Sequence, residues 1–566
     1  MSLPAWPPAL TWITRYQRGW LAGDLTAGLT VGVMLIPQGM AYALLAGLPP
    51  IYGLYAATLP LLVYALLGSS RQLAVGPVAM DSLLTATGVG ALATVGTEQY
   101  LFLTVALALL VGTIQLLAGV LRLGFLVDLL SRPIISGFTS AAALIIGLSQ
   151  LQHLLGVNLG RSSYVHEILA AAVAQSGAIH FLTLLIGLGG IGLLLGLKRW
   201  WPAVPGPLVV VVLAVAGVYA GGLQEDGVRI VGEVPAGLPS IRWVVPTSAD
   251  LQALLPTALT VALVGFMEGI AVAKAVNARH PEYTVRPNQE LIAVGGSNIA
   301  SSLVGAFPVA GGFSRTAVNE QAGANTGLAA VISAGVIVLT LLFLTPLFTY
   351  LPQAVLASVI MVAVFNLIDW REAVRLWRVD RSDFWMLAAT FAATLSLGIQ
   401  NGIAAGVALS IAVHVYRSMR PHLAVLGRIE GTHTFRNVNR FPDAREAPGL
   451  LILRFDAPLY FGNVNYFLAQ LEALLAGRPE LRAIVLNAEG IAGIDSSAMH
   501  GLRGFVAAQQ ARGVTVRLAG VIGPVRDAMK KAGLYDSVGR ENFYVDVDQA
   551  VRGAAGTGYA LQTNVY

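Results

Sequence analysis

Arg315 stands in the stretch GGFSRTAVNE, residues 311–320, between long apolar runs. Two glycines precede it and Ser314 adjoins it, a pattern for a loop that turns into a helix. A guanidinium keeps its charge and offers a fork of donors, and a serine hydroxyl adds one more, so the pair suits a small anion. Inside a membrane such a charge is costly unless it is paired or hydrated. Two readings stay open: an anion site, or a structural arginine paired with Glu268, Asp81 or Glu320. Glu268 lies in ALTVALVGFMEGIAVAKAV (258–276) and Gln38 in GLTVGVMLIPQGMAYALLA (28–46), each the polar residue nearest the middle of its run. A carboxylate beside an anion can take up a proton and let the two travel together; alternatively Glu268 only neutralises Arg315 or Lys274, or holds a sodium ion with backbone carbonyls. Asp81 follows three residues after Val78, where it can cap a first helical turn, pair with Arg315 or share a proton with Glu268.

Other chemistries are not written in the chain. It has no cysteine, so disulfides, thiolate metal sites and thiol catalysis are excluded. Its eight histidines show no metal-ligand spacing and its carboxylates no catalytic pair. There is no Walker A motif to power an ATP-driven pump. The reading is therefore of a non-enzyme with no cofactor, no metal and, despite a net charge of +5, no nucleic-acid partner, because the basic residues fall in short loops between apolar runs.

The elements that carry these residues are membrane spans. Of 566 residues 56% are hydrophobic and 11% charged, against about 25% charged in a soluble domain. Mean hydropathy is +0.70. Runs long enough to cross a bilayer lie near 25–46, 50–67, 99–121, 133–150, 181–197, 203–222, 251–275, 288–305, 327–348, 352–369, 382–399 and 401–418. Two more, 77–94 after AVGP and 313–325 after FPVAGG, are interrupted at their start. That makes fourteen. With a cytoplasmic N-terminus, the inside loops hold Arg15, Arg18, Arg71, Arg122, Arg132, Lys198, Arg199, Arg279, Arg286, Arg371, Arg375, Arg378, Arg381, Arg417 and Arg420, fifteen cations against Arg161, Arg229 and Arg242 outside. Such a bias predicts a multi-pass protein of the inner or plasma membrane with both termini cytoplasmic. The first twenty residues, broken by Pro4, Pro7 and Pro8, do not read as a signal peptide. GEVPAGLP, 232–239, reads as an external loop.

Residues 28–46 and 258–276 agree without gaps at Leu29/Leu259, Thr30/Thr260, Val31/Val261, Gly39/Gly269, Ala41/Ala271 and Ala43/Ala273, which sets Gln38 opposite Glu268. These are the first and eighth spans. An odd offset of seven makes the second copy enter from the opposite side, an inverted 7+7 repeat. The competing explanation is that two apolar helices agree by composition. The interrupted third and tenth segments are also seven apart, and both carry Pro-Val-Ala, at 77–79 and 308–310. If both begin at mid-membrane with their starts facing, their bare amides and positive dipole ends converge on one anion site.

After about 425 strands and helices alternate, giving a transport domain at 1–424, a soluble α/β domain at 425–553 and a tail at 554–566. In GIDSSAMHGL, Asp495, Ser496 and Ser497 open a helix after a strand; they read as a cap or as a phosphorylation or docking loop for a cytoplasmic regulator.

The run IPQGMAYALLAGLPPIYGLYAATLPLLVYALLGSSRQLAVGPVAMDSLL resembles the signature of the SulP (sulfate permease-like) anion transporters. NQELIAVGGSNIASSLVGAFPVAGGFSRTAVNEQAGANT is similar to their ninth and tenth helices, and the soluble end to a STAS domain. The resemblance covers nearly the whole chain. It implies a core of spans 1–4 and 8–11, a gate of spans 5–7 and 12–14, an elevator-like cycle and a homodimer. It implies a substrate site of Gln38 and Tyr42, of Val78 and Ala79 through their backbone N–H, and of Ser314 and Arg315, with Glu268 as coupling residue. Asp81 stands where the family has an apolar or small residue, and Ala498 where STAS relatives often have glycine. The expected function is secondary transport of a small anion such as sulfate, bicarbonate, chloride, nitrate or a dicarboxylate, by proton symport through Glu268. Exchange, sodium-coupled bicarbonate transport, a nucleobase-type symporter, an anion channel and an anion sensor with STAS output are the alternatives.

Overall fold

Two strands of two residues each organise the membrane unit. The structure is a computed structural model that describes residues 7–125, 131–159, 164–201, 204–365 and 367–554. Arg161 and the tail beyond Ala554 lie outside the described residues. The chain divides into two compact units, Met1–Ser410 and Ile411–Tyr566.

The first unit runs α1 (Leu10–Ile13), α2 (Trp20–Leu45), α3 (Ile51–Tyr55), α4 (Leu59–Leu67), β1 (Val75–Gly76), α5 (Ala79–Gly90), α6 (Glu98–Val120), α7 (Arg132–Ser149), α8 (Leu151–Leu155), α9 (Val165–Ala174), α10 (Phe181–Trp200) and α11 (Gly206–Gly221). Then follow α12 (Ser248–Asn277), α13 (Pro287–Leu303), β2 (Ala310–Gly311), α14 (Phe313–Gln321), α15 (Leu328–Leu339), α16 (Gln353–Phe365), α17 (Trp370–Val379), α18 (Arg381–Leu397) and α19 (Ile399–Met419), the last running into the second unit. Eight helices among the described residues are long and apolar enough to cross a membrane, with shorter apolar ones at 51–67 and 206–221, a set consistent with fourteen crossings.

β1 and β2 pair antiparallel, Val75 opposite Gly311 and Gly76 opposite Ala310. Each strand passes within two residues into a helix, so α5 and α14 leave the pair in opposite directions with their N-termini end to end. The packing exchanges partners between halves: α2 lies against α14 and α15, and its counterpart α12 against α5 and α6. The two sets of contacts recur at the same offset between the halves, consistent with an inverted repeat. The two Pro-Val-Ala triplets are not equivalent, however. The first follows β1 and opens α5, whereas the second ends inside β2, so that match was compositional.

Five expected spans differ in detail. The run 50–67 is two helices, because Pro60 has no N–H for the Ala56 carbonyl and instead sits in the first turn of α4. The run 327–348 leaves α-geometry after Leu339, becoming a π-turn over Thr340–Leu344 and a 3-10 turn over Thr345–Phe348 ahead of and around Pro346. The run 352–369 stops at Phe365, and the arginines assigned to the following loop form α17 instead. The interrupted segments are shorter than read, ending at Gly90 and Gln321.

Helix α3 comes so close to α2 that a Cβ on Gly53 would stand 1.8 Å from the Gly39 carbonyl oxygen. Both partners are backbone, so nothing can swing aside. Gly53→Ala is expected to destabilise the fold by about 1–3 kcal/mol, read as a thermal unfolding midpoint several degrees lower in detergent. An unchanged midpoint would contradict this contact.

The second unit carries β3 (Leu423–Ile429), β4 (Phe435–Asn437), β5 (Ala444–Arg445), β6 (Leu450–Phe455), α20 (Val464–Ala476), β7 (Ala483–Asn487), α21 (Ser496–Ala511), β8 (Thr515–Ala519), α22 (Gly523–Lys531), α23 (Leu534–Val538), β9 (Phe543–Tyr544) and α24 (Val547–Ala554). The sheet order is β4-β3-β6-β7-β8-β9 with β5 beside β3; β6 to β9 are parallel and β3 runs against β6. Strand alternation sorts the core: Leu451, Leu453 and Phe455 face a cluster with Phe467, Leu502 and Met529, while Ile452 packs with Val547 and Ala550 of α24. The antiparallel strands before residue 450 were not foreseen.

Candidate functional site

The strand pair brings the bare amides of two helix starts together. Neither α5, capped by Val78, nor α14, capped by Gly312, has a side-chain cap bond. The first-turn N–H groups of Ala79, Met80 and Asp81, and of Phe313, Ser314 and Arg315, therefore lack helical acceptors and favour negative charge.

Arg315 lies between these starts and is 2% exposed. Its Nη1 donates to the Pro77 carbonyl at 2.5 Å. Gly312 makes room for the rest: a Cβ there would stand 2.8 Å from Nη2. Among the described residues Nε and Nη2 have no hydrogen-bond partner. These two nitrogens form the edge of a guanidinium that grips an oxyanion side-on. Among the described residues no carboxylate locks Arg315 in an ion pair. Glu320, one of its expected partners, is held by Arg279 through Nε at 2.7 Å and Nη2 at 2.5 Å.

The remaining inner face of α14 grips the chain leading to β1. Thr316 Oγ1 accepts from the Ala74 N–H at 3.0 Å, and Asn319 Nδ2 donates to the Gln72 carbonyl at 2.8 Å. On the other strand, Asn298 of α13 pairs with both backbone groups of Val309 and donates to Gln115 of α6, which donates to the Ala262 carbonyl of α12. The sequence reading missed Thr316, Asn319, Asn298 and Gln115. Their signal was polar residues at positions i+1 and i+4 from Arg315, and amides within otherwise apolar helices.

Tyr42, buried on α2, and Glu268, partly accessible on α12, are electrostatic neighbours of Arg315. Gln38, one turn before Tyr42, is 3% exposed with Oε1 unpartnered; the preceding Pro37 interrupts the helical bonding of α2. Asp81 is 1% exposed. It does not cap α5. Among the described residues its Oδ1 has no partner, and its Oδ2 lies 2.9 Å from where Gly265, one turn before Glu268, would carry a Cβ. Val78 and Ala79 are buried, while Ser314 is exposed on the opposite side of α14 from Thr316. Buried polar atoms seldom go unpartnered. Among the described residues Asp81 Oδ1 and Arg315 Nε and Nη2 do so close to the strand pair, and Gln38 Oε1 does so on α2. Among the described residues no group of acids and histidines could hold a metal ion.

In the second unit Asp495 caps α21, one oxygen accepting from the Ala498 N–H and the other from the Phe461 N–H, both at 2.8 Å. Ser496 and Ser497 are exposed in its first turn.

Residues 21–390 match the model of the sulfate permease family and residues 441–550 that of the STAS domain. Sulfate transporter 4.1, chloroplastic, of Arabidopsis thaliana is 38% identical over 582 residues, covering 96% of this chain and 82% of its own. A probable sulfate transporter of Mycobacterium tuberculosis is 38% identical over 554 residues, 98% of each chain. Among solved structures, the murine Slc26a9 anion transporter in its inward-facing state aligns with a TM-score of 0.89 at 26% identity, over 97% of this chain and 94% of that one. The transmembrane domain of the cyanobacterial bicarbonate transporter BicA shares the fold at a TM-score of 0.60 and 24% identity, over 70% of this chain and 98% of that one.

Proposed function

The chain belongs to the sulfate permease family, and on that premise we propose that it is a secondary transporter of small anions. The observation that carries this reading is the unpartnered Nε–Nη2 edge of Arg315, held between the starts of α5 and α14. In the proposal an oxyanion accepts from that edge and from the amides at Val78 and Ala79. The Gln38 amide donates, Tyr42 walls the pocket and the Ser314 hydroxyl adds a contact at its mouth. Glu268 takes up a proton as the anion binds, so charge moves with compensation, and Asp81 serves as a second acid of the coupling site. The core of spans 1–4 and 8–11 carries the site past the gate of spans 5–7 and 12–14 in an elevator-like stroke. The protein acts as a homodimer in the cytoplasmic membrane. Its STAS module, 425–553, lies on the cytoplasmic side, with Ser496 and Ser497 open to a regulator.

Because two relatives are called sulfate transporters, sulfate is the first substrate to test. The protein reconstituted in liposomes is expected to take up labelled sulfate saturably. A panel of unlabelled bicarbonate, chloride, nitrate, fumarate and uracil then ranks the alternatives. Binding without uptake would mean a sensor. Displacement by uracil alone would mean a nucleobase-type symporter, and conductance far above carrier turnover a channel.

A further inference from the structure

Helix α17 joins two membrane spans through short links, leaving α16 at Phe365 and entering α18 at Arg381. Its position at the membrane surface follows from that connectivity. At 100° per residue its side chains divide into three sectors. Leu376 points inward and is buried. Trp370, Val374 and Trp377 form an exposed apolar sector, with Trp370 64% and Trp377 47% exposed. Arg371, Arg375 and Arg378 form an exposed basic sector directly beside it.

Two of the nearby acids are spent on helix caps, and Glu372 is paired with Arg375 itself. Asp369 caps α17 through the Glu372 N–H, and Asp380 caps α18 through the N–H groups of Ser382 and Asp383. Glu372, turned toward the protein, is held below the ordinary carboxylate range by hydrogen bonds from Arg375, with further help from the charges of Arg375 and Arg132. Arg371 and Arg381 lie over the rings of Trp370 and Trp377, tying the basic sector to the aromatic one. Aromatic rings at the depth of the headgroups, with guanidinium groups just above them, form a surface complementary to lipid of negative charge.

We propose that α17 is an anionic-phospholipid site, its tryptophans seated in the interface and Arg371, Arg375 and Arg378 on the phosphates. Helix α18 packs along α7, and the Asp369 N–H donates to Ser140 of α7 at 3.2 Å. Bound lipid would therefore tether this pair of spans to the leaflet.

The test uses the full protein in vesicles containing lipid brominated on its acyl chains, which quenches nearby tryptophan fluorescence. Brominated phosphatidylglycerol is expected to quench more effectively than brominated phosphatidylcholine at equal content. Trp370→Phe/Trp377→Phe should remove most of that difference. Each of R371Q, R375Q and R378Q should lower the preference for phosphatidylglycerol about fivefold, as expected for one basic residue near an anionic surface. Equal quenching by the two lipids, or a preference unchanged in the triple glutamine variant, would overturn the proposal. So would rings shielded from both lipid and aqueous quencher, which would mean that a second copy of the chain covers this face.

Discussion

Glu268→Gln is expected to uncouple sulfate uptake from an inward proton gradient. In the native protein, acidifying the outside of sodium-free proteoliposomes should raise initial uptake several-fold; in the variant that rise should vanish. The amide keeps the size of the carboxyl but binds no proton at neutral pH. The site makes the substitution informative. Glu268 is partly accessible and within electrostatic reach of both Arg315 and Asp81, so its charge state bears directly on an anion beside the guanidinium. Sulfate-for-sulfate exchange with no gradient requires no net proton movement and should stay within about fivefold of native, since one uncharged hydrogen-bonding group replaces another at a net cost of roughly 1 kcal/mol or less. Exchange retained with the gradient response lost identifies Glu268 as the coupling residue. A full gradient response in the variant would move that role to Asp81, whose Oδ1 is unpartnered among the described residues. A response to sodium but not to pH would replace the proton as the coupling ion.

Arg315→Lys is expected to weaken sulfate binding by roughly 10- to 150-fold. The estimate follows from losing a charge-assisted contact of about 1.5–3 kcal/mol. Lysine keeps the charge, but its single ammonium cannot hold the Pro77 carbonyl and present a two-pronged edge to an oxyanion at once. Arg315→Ala should fall further and be inactive. Neither change should unfold the protein, because the strand pair, Thr316 and Asn319 still join the two segments. Binding titration by calorimetry, with the unfolding midpoint as control, separates the cases. Native affinity in the lysine variant would show that the Nε–Nη2 edge does not meet the substrate.

The parts of the site legible in the sequence were its charges. Arg315, Glu268, Asp81 and Gln38 stand out because polar groups in apolar runs need a reason. The positions of Val78 and Ala79 came from resemblance, since a backbone amide has no letter of its own. The β1–β2 pair could not be read at all: two residues give no periodicity, and the pairing spans more than two hundred residues of sequence. Asp81 looked like a helix cap by its offset from Val78, yet the contact with Gly265 takes its carboxyl toward α12. Helix α17 was hidden for another reason. Its arginines were counted as loop charge, but their three-sector arrangement emerges only once the segment is wound into a helix. The breaks at Pro60 and Pro346 were written in the chain, but hydropathy averages over them.

Two rungs of backbone pairing, with Arg315 bridging to Pro77, make the ends of α5 and α14 mechanically one piece. Neither helix can retreat from a passenger without dragging the other. In the proposed cycle the cradle would then travel as one cartridge, with release set by a change in what surrounds it rather than by its own dismantling.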